Sequence, residues 1–396
     1  MIYVLLAYIS YPLVFLMSKL SGPRFSLPLE GVQPPRVLSG GRARAGGAQG
    51  ESFVVFQTAK LGDMICSTPV FREIKRAYPA SRLGVVIHPA TRPLLKHNPH
   101  IDEIIEFDPR LYRGVAGKIR FAFALGKRGY SSALILMPNA ANILAAFWAL
   151  IPKRVCVYPN FTGPTLRRLL ALNTHLEYHG EGRMSMETYL GALRQFGIKN
   201  CGMQKEVYAP KEADAKAAAY LKGDGPFAGV APGTANVMKE WGREKFLELS
   251  KRISDETTAT VVVIGSEKER AAGEEIVGAC RASGGRRRAI NACGAFSLEE
   301  APALLKRLSV VIGVDTALIY MADALDVPAV DIAGPCDMND QRPIGKGSVI
   351  IQKKSLPCVP CSHTFRVPYE CREGHRSCVA DVTVEEVFSA AVKIIQ

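Results

Sequence analysis

The chain has 396 residues, 48% of them hydrophobic and 22% charged, a balance that excludes a disordered polypeptide. Its apolar residues are spread along the sequence instead of gathered in many long runs, which excludes a polytopic membrane protein. At about 150 residues per domain the length allows two or three domains. The formal net charge of +13 points to anionic partners: nucleic acid, anionic lipid or a phosphorylated substrate.

In chain order, Met1 to Ser18 carry no charged side chain, and Lys19 is the first. A spanning helix needs about 20 apolar residues, so this run sits at the short end. Pro12 would kink it, which a membrane helix tolerates. A cleaved signal peptide fits poorly, because no basic residue precedes the run and no small-x-small site follows it. Residues 1–20 are therefore expected to form a membrane-anchor helix, spanning or half-inserted, the alternative being a buried core helix. Residues 21–51 are expected to be a basic Gly/Pro-rich linker. Lys19, Arg24, Arg36, Arg42 and Arg44 all follow the run, which places the remainder of the chain on the cytoplasmic side, against anionic headgroups.

From Ser52 onward short apolar runs alternate with amphipathic ones. Strands are predicted at Phe53–Gln57, Leu83–Ile87, Ile101–Phe107 and Ala133–Met137, with helices at Met64–Ala77 and around Lys118–Lys127. A polar stretch, Cys201–Ala209, reads as a linker. The second series has strands at Phe227–Ala231, Thr260–Ile264, Val310–Val314 and Ala329–Ile332. Its helices are predicted at Arg243–Ser254, Glu267–Cys280, Leu298–Leu308 and Thr316–Leu325. Short runs without alternation suit strands buried on both faces, hence two α/β units with parallel sheets. Ligands of such sheets gather at the carboxyl ends of strands.

Four strand ends carry candidate chemistry. In FQTAKLGDMICSTP, Gly62 permits a tight turn and Asp63 stands before a helix, as an N-cap or as a general base. In VAPGTANVMKEW, Gly233, Thr234 and Lys239 suit a phosphate or diphosphate; the alternative is an exposed lysine on a solvated loop. In VIGSEKER, Glu267 opens a helix and would bond a ribose diol or complement the helix dipole. In VVIGVDTALIYMADALDVPAVDIAGP, Asp315 and Thr316 sit at a strand-to-helix junction, with a cap as the simpler reading. No G-x-G-x-x-G follows a strand and no G-x-x-x-x-G-K-[ST] exists, so a dinucleotide dehydrogenase or P-loop NTPase is not expected.

Taken in order, these motifs, together with NPHIDEIIEFD (Asn98 to Asp108), resemble glycosyltransferase family 9, the lipopolysaccharide heptosyltransferases and their relatives. The resemblance covers about residues 53–335. It implies a GT-B fold, two Rossmann-like domains facing a central cleft, here at 52–205 for the acceptor and 206–350 for the nucleotide sugar, with a Cys-bearing tail and C-terminal helix at 351–396. It implies inverting, metal-independent transfer of a sugar, first heptose from ADP-heptose, to a lipopolysaccharide core or related lipid-linked glycan at the cytoplasmic face of a bacterial inner membrane. By the same resemblance Asp63 matches the catalytic base and Lys239 the diphosphate-binding lysine. Thr234 matches the phosphate loop, Glu267 the ribose contact, and Asp315, Thr316, Ala317 and Tyr320 the donor-cradling D-T-G-x-x-H motif.

Two departures stand in that motif: Ala317 replaces glycine and Tyr320 replaces histidine. They leave open a different nucleotide sugar, or a catalytically degenerate nucleotide-sugar-binding scaffold. The motif order argues against the nucleotide-sugar 2-epimerases. No nucleic-acid motif occurs, so nucleic acid drops out as the partner behind the basic charge. Arg110, Arg113, Lys118, Arg120, Lys127 and Arg128 face either acceptor phosphates and membrane or plain solvent.

Six cysteines, Cys66, Cys156, Cys201, Cys280, Cys293 and Cys336, are scattered and read as small hydrophobes. Cys358, Cys361, Cys371 and Cys378 cluster near the C-terminus, with one C-x-x-C pair of zinc-ligand spacing and a looser second pair. Structural zinc, packed thiols and a disulfide are the three readings of that cluster; catalysis itself is expected to require no cofactor.

Overall fold

A computed structural model describes residues 10, 51–160, 162–223, 225–282 and 289–396. The anchor and linker expected at 1–51 lie outside the described residues, save Ser10 and Glu51. Among the described residues no helix is long and apolar enough to cross a membrane.

The first sheet contains β1 (Ser52–Gln57), β2 (Arg82–Ile87), β3 (Glu103–Glu106), β4 (Ser132–Ile135), β5 (Lys153–Pro159) and β6 (His175–His179), in the order β3-β2-β1-β4-β5-β6. The second contains β7 (Phe227–Ala231), β8 (Thr260–Val263), β9 (Ile290–Asn291), β10 (Val310–Val314), β11 (Ala329–Ile332) and β12 (Val349–Ile351), in the order β12-β11-β10-β7-β8-β9. Numbered within each half, both orders are the doubly wound 3-2-1-4-5-6. Every strand pairing is parallel. The central strands are buried along their length, as their apolar runs require.

Local chemistry sets the element ends. Helix Leu61–Ala77 contains Pro69, which cannot donate to Ile65; the Thr68 hydroxyl donates to the Ile65 carbonyl instead, at 2.7 Å. The predicted strand at Ile101–Phe107 is shorter because the Asp102 carboxylate accepts the Leu83 N–H at 2.6 Å. The helix predicted from Glu267 starts at Arg270, since Ser266 caps a 3-10 turn over Glu267–Glu269.

The halves meet along helices Leu61–Ala77 and Ala317–Ala324, where Met64 and Ile65 share one buried cluster with Ile319, Tyr320 and Met321. The polar stretch 201–207 is laid along the first of these helices. Arg72 donates to the carbonyls of Gly202 (2.8 Å) and Gln204 (2.7 Å), and Glu206 N–H donates to Thr68 Oγ1 (2.8 Å). Lys205 turns the other way, into a buried pair with Asp323 at 2.5 Å. Asp323 also accepts the N–H groups of Ile344 (2.7 Å) and Gly345 (2.6 Å), so this charge pair is fully hydrogen-bonded. The linker is thereby fastened to both halves.

Candidate active site

Asp63 is the third residue of helix Leu61–Ala77, at the carboxyl end of β1. Lys60, not Asp63, is the N-cap, and it has no side-chain cap bond; the Asp63 carboxylate takes a hydrogen bond from the Lys60 backbone. Asp63 is half-buried, and Gln341 Nε2 lies 3.5 Å from its Oδ1. Burial raises its pKa from 3.8 to about 6, against the lowering pull of the Lys239 charge, the Lys60 backbone and Gln341. A carboxyl poised there can take a proton from a hydroxyl at neutral pH.

Lys239 ends the turn Val237–Lys239, which Asn236 caps by accepting the Met238 N–H at 3.1 Å. Its ammonium lies 2.5 Å from Asp315 Oδ2 and 3.0 Å from the Asp315 carbonyl. Burial opposes this charge, but the Asp315 carboxylate outweighs it and the lysine pKa is raised. Asp315, at the end of β10, is buried, which raises its pKa. Lys239, Cys336 and Tyr320 pull it down further, so the net shift is downward. Tyr320 O–H donates to Asp315 Oδ1 at 2.5 Å, so both carboxylate oxygens are engaged. The same tyrosine ring faces Gly62: a Cβ there would lie 3.3 Å from Tyr320 Cδ2. The turn that carries Asp63 thus touches the Asp315–Tyr320–Lys239 cluster across the cleft.

Thr316 precedes helix Ala317–Ala324 but does not cap it, and its Oγ1 is buried without a hydrogen-bond partner. Ala317 opens that helix, whose first N–H groups point at the same space. A buried hydroxyl and helix N–H groups beside a fixed ammonium are the donors a diphosphate requires.

The other predicted residues are placed differently. The Thr234 hydroxyl accepts the Asn236 N–H at 3.2 Å, a local turn bond that shapes the loop. Gly233 backs onto Glu269, whose Cγ would meet a Cβ at 2.6 Å. Glu267 sits at the rim, its side chain 69% exposed and paired with Arg270 at 2.5 Å. Arg270 lowers its pKa, and none of its hydrogen bonds or ion pairs joins it to the Lys239 cluster.

Among the described residues, no three of the tail sulfurs Cys358, Cys361, Cys371 and Cys378 lie within 4.8 Å of one another. All ten cysteines are free, which corrects the disulfide reading. Asp337, Asp340 and His363 form the trio, among the described residues, whose ligand atoms lie within 4.8 Å of one another. Asp340 is already engaged: His179 lies at 3.2 Å from Oδ1, and the Thr364 N–H donates to Oδ2 at 3.1 Å. This network joins the carboxyl end of β6 to the loop after β11.

Three participants went unread in the sequence. Cys336 is not a mere packing residue: burial and the neighbouring Asp315 carboxylate push its thiol up, with the Lys239 charge opposing. Gln341 reaches Asp63 from the same loop. Asp331, in the middle of β11, is fully buried with neither oxygen hydrogen-bonded; burial and the Asp315 charge raise its pKa. The signal for the first two was the β11 carboxyl end, where ligands of such sheets collect.

Residues 120–369 match the model of glycosyltransferase family 9 (heptosyltransferase). The chain is 24% identical over 341 residues to lipopolysaccharide heptosyltransferase 2 of Salmonella typhimurium, covering 83% of this chain and 94% of that one. It is also 24% identical over 289 residues to lipopolysaccharide heptosyltransferase 3 of Escherichia coli, covering 71% and 83%. In fold it is similar to a family 9 glycosyl transferase of Veillonella parvula (TM-score 0.71, 20% identity, 87% and 97% covered). It is likewise similar to E. coli ADP-heptose lps heptosyltransferase II (TM-score 0.67, 20% identity, 87% and 98% covered). The two-sheet α/β architecture expected from the sequence is that of these GT-B structures.

Proposed function

The chain belongs to glycosyltransferase family 9, and on that premise we propose that it moves heptose from ADP-heptose to a lipopolysaccharide core, with inversion and without a catalytic metal. The observation that carries the reading is the meeting of Asp63 with the Lys239–Asp315–Tyr320 cluster through the Gly62–Tyr320 contact. The relatives' names, heptosyltransferase 2 and 3, supply the donor sugar and the lipopolysaccharide acceptor.

In the proposed step an acceptor hydroxyl attacks the anomeric carbon while its proton passes to Asp63. The bond from that carbon to the diphosphate oxygen breaks on the opposite face, and ADP departs; a single displacement inverts the centre. General base catalysis contributes about 10²–10⁴ in rate. The leaving diphosphate gains negative charge, which Lys239, the Thr316 hydroxyl and the N–H groups of Ala317 and Leu318 stabilise, at roughly 3 kcal/mol for a well-placed donor. Lys239 does this without leaving Asp315, whose carboxylate fixes the direction of the ammonium. Glu267 and Thr234 serve the nucleotide end in this reading, Glu267 by turning from Arg270 to the ribose. Closure over the cleft excludes the water that would otherwise hydrolyse the donor.

The apolar residues 1–18 and the cations that follow would hold the enzyme at an anionic membrane surface, on the cytoplasmic face of the inner membrane where a lipid-linked acceptor is presented.

A second reading, a different nucleotide sugar, is favoured by one observation: the Tyr320 hydroxyl is engaged by Asp315 and is not free to meet the donor as the family histidine would. Calorimetric titration with ADP, UDP and GDP separates the two. Tightest binding of ADP, weakened at least tenfold by Lys239→Ala, supports heptose transfer. Preference for UDP or GDP redirects the donor, and binding of none of them favours the scaffold.

A further inference from the structure

From Pro109 to Leu176 the chain carries ten lysine and arginine residues and no aspartate or glutamate, so most of its +13 excess lies in one continuous stretch. The three helices of that stretch are Gly114–Gly126, Ala140–Trp148 and Pro164–Leu170. They form one layer over one side of the first sheet, where Phe121, Leu125, Ile143, Leu144 and Leu169 share a buried cluster with strand residues such as Val54 and Ile135. Few of the cations are neutralised. Arg128 pairs with Glu103 at 2.8 Å, and Lys118 donates to the Gly114 carbonyl at 3.1 Å. The carboxylates of β3 are taken up as well, Glu103 also by Arg82 and Glu106 by Arg92. None of the ion pairs among the described residues involves Arg110, Arg113, Arg120, Lys127, Arg167 or Arg168.

Apolar side chains stand among these charges. On helix Gly114–Gly126 and just past its end, Ala116, Arg120, Phe123 and Lys127 are exposed at spacings of i, i+4, i+7 and i+11, which is a single stripe of a helix. Arg120 donates to the Leu111 carbonyl at 2.5 Å, which holds the turn 110–113 beside that stripe. Phe123 is 66% exposed and Leu111 65%, the two most exposed large apolar side chains among the described residues. One such side chain in water needs no explanation; two on one face, set among unneutralised cations, mark a contact surface. The neighbouring helix supplies a further link. Trp148 at its end donates through Nε1 to Ser10 Oγ at 3.0 Å, so the first 18 residues, which carry no charged side chain, touch this same layer. Tyr112 and Lys118, from the same region, line a cavity of about 340 Å³ with Thr58, His88, Phe107 and Asn139, at the carboxyl ends of the first sheet's strands.

We propose that the outer face of the turn 110–113 and helices Gly114–Gly126 and Pro164–Leu170 docks on an anionic lipid bilayer. Leu111 and Phe123 enter the headgroup layer, while Arg113, Lys127, Arg167 and Arg168 meet lipid phosphates. A bilayer interface offers both terms at once, an apolar boundary for the two side chains and negative charge for the cations around them. A nucleic acid would satisfy the cations but leave Leu111 in water. The contact at Ser10 ties the face to the apolar N-terminal run, and the two are complementary: one short apolar segment holds a protein weakly, and a second, polybasic contact makes the attachment stable. The face is separate from that run, since it is built from described residues of the first domain. Docking also fixes an orientation, with the cavity beside Tyr112 and Lys118 turned toward the lipid surface. Its use for admitting a lipid-borne acceptor rests on the glycosyltransferase reading; the docking itself does not.

The test is hydrogen–deuterium exchange of the full chain, alone and with vesicles of phosphatidylcholine or of phosphatidylcholine mixed with phosphatidylglycerol. The mixed, anionic vesicles should slow exchange in segments 109–128 and 163–170 and leave the second sheet as in solution. Neutral vesicles should not protect those segments, and high salt should weaken the protection. Arg113→Ala and Lys127→Ala should each cut the docking equilibrium about fivefold, and Leu111→Ser/Phe123→Ser should abolish protection of 109–128, with ADP affinity unchanged in every variant. A chain that fails to bind anionic vesicles overturns the face. So does a vesicle-bound chain in which 109–128 exchanges as freely as in solution, which leaves the N-terminal run as its membrane contact. Protection of the same segments by an RNA oligonucleotide and not by vesicles overturns it too. The wild-type measurement stands even if a variant fails to fold. Protection by anionic vesicles in a chain that binds no nucleotide supports the docking face and overturns the glycosyltransferase reading instead.

Discussion

Replacing Asp63 by asparagine should make the protein more stable and much less active. The carboxyl is held at a pKa of about 6 against 3.8 in the absence of its surroundings, burial being the dominant cause. At 1.36 kcal/mol per unit, keeping it ionised at neutral pH costs the folded state about 3 kcal/mol. The sign follows from the direction of the shift. Below pH 3.8 both folded and unfolded states hold the proton and nothing is lost. Between 3.8 and about 6 the unfolded state ionises first, and above 6 the full cost is present. Asparagine is close to isosteric and uncharged, so Asp63→Asn removes that cost, which is already net of the attraction to Lys239. Thermal unfolding should therefore rise by several degrees at pH 7, at roughly 2–4 °C per kcal/mol for domains of this size, with the gain vanishing near pH 4. Transfer should fall by about 10²–10⁴ with donor affinity kept. Differential scanning calorimetry at pH 4 and 7, with a transfer assay on the same samples, reads both. Unimpaired transfer, or an equal loss of stability at both pH values, would refute the reasoning.

The rate of the wild-type enzyme should show an acid limb near pH 6, rising as Asp63 ionises; in Lys239→Ala the limb should move upward, because the lysine charge lowers the Asp63 pKa. A pH profile of kcat/KM measures both. Tyr320→Phe removes a hydrogen bond to a charged carboxylate and should cost about 1.5–3 kcal/mol in chemical denaturation while lowering transfer roughly tenfold. Lys205→Met strands Asp323 in the core between the halves and should cost about 3–5 kcal/mol; the double variant Lys205→Met/Asp323→Leu should recover most of it.

The legible part of this molecule was where local pattern and tertiary role agree. Strands β7, β10 and β11 are short apolar runs ended by turn residues, and they form where the pattern puts them. β6, His175–His179, alternates polar and apolar at a sheet edge and gives no such run. Helix Ala140–Trp148 is apolar around most of its surface, so helical periodicity does not mark it. In the site, Asp63, Lys239 and Asp315 stand at strand ends and could be read one by one. That Lys239 would pair with Asp315, and that Tyr320 would hold the other carboxylate oxygen and press on Gly62, depends on how two sheets face each other. Cys336 and Gln341 belong to a loop without a motif. Glu267, read at a helix start, stands instead on an exposed turn with Arg270, because Ser266 is the better cap.

The most direct test is product analysis after incubating the enzyme with ADP-heptose and a lipopolysaccharide core acceptor lacking its next heptose. Transfer predicts one added heptose by mass spectrometry, an equal amount of released ADP, an anomeric configuration opposite to the donor's, and no dependence on chelators of magnesium or calcium. Retained configuration, or an unmodified acceptor in a sample that binds another nucleotide sugar, would contradict it.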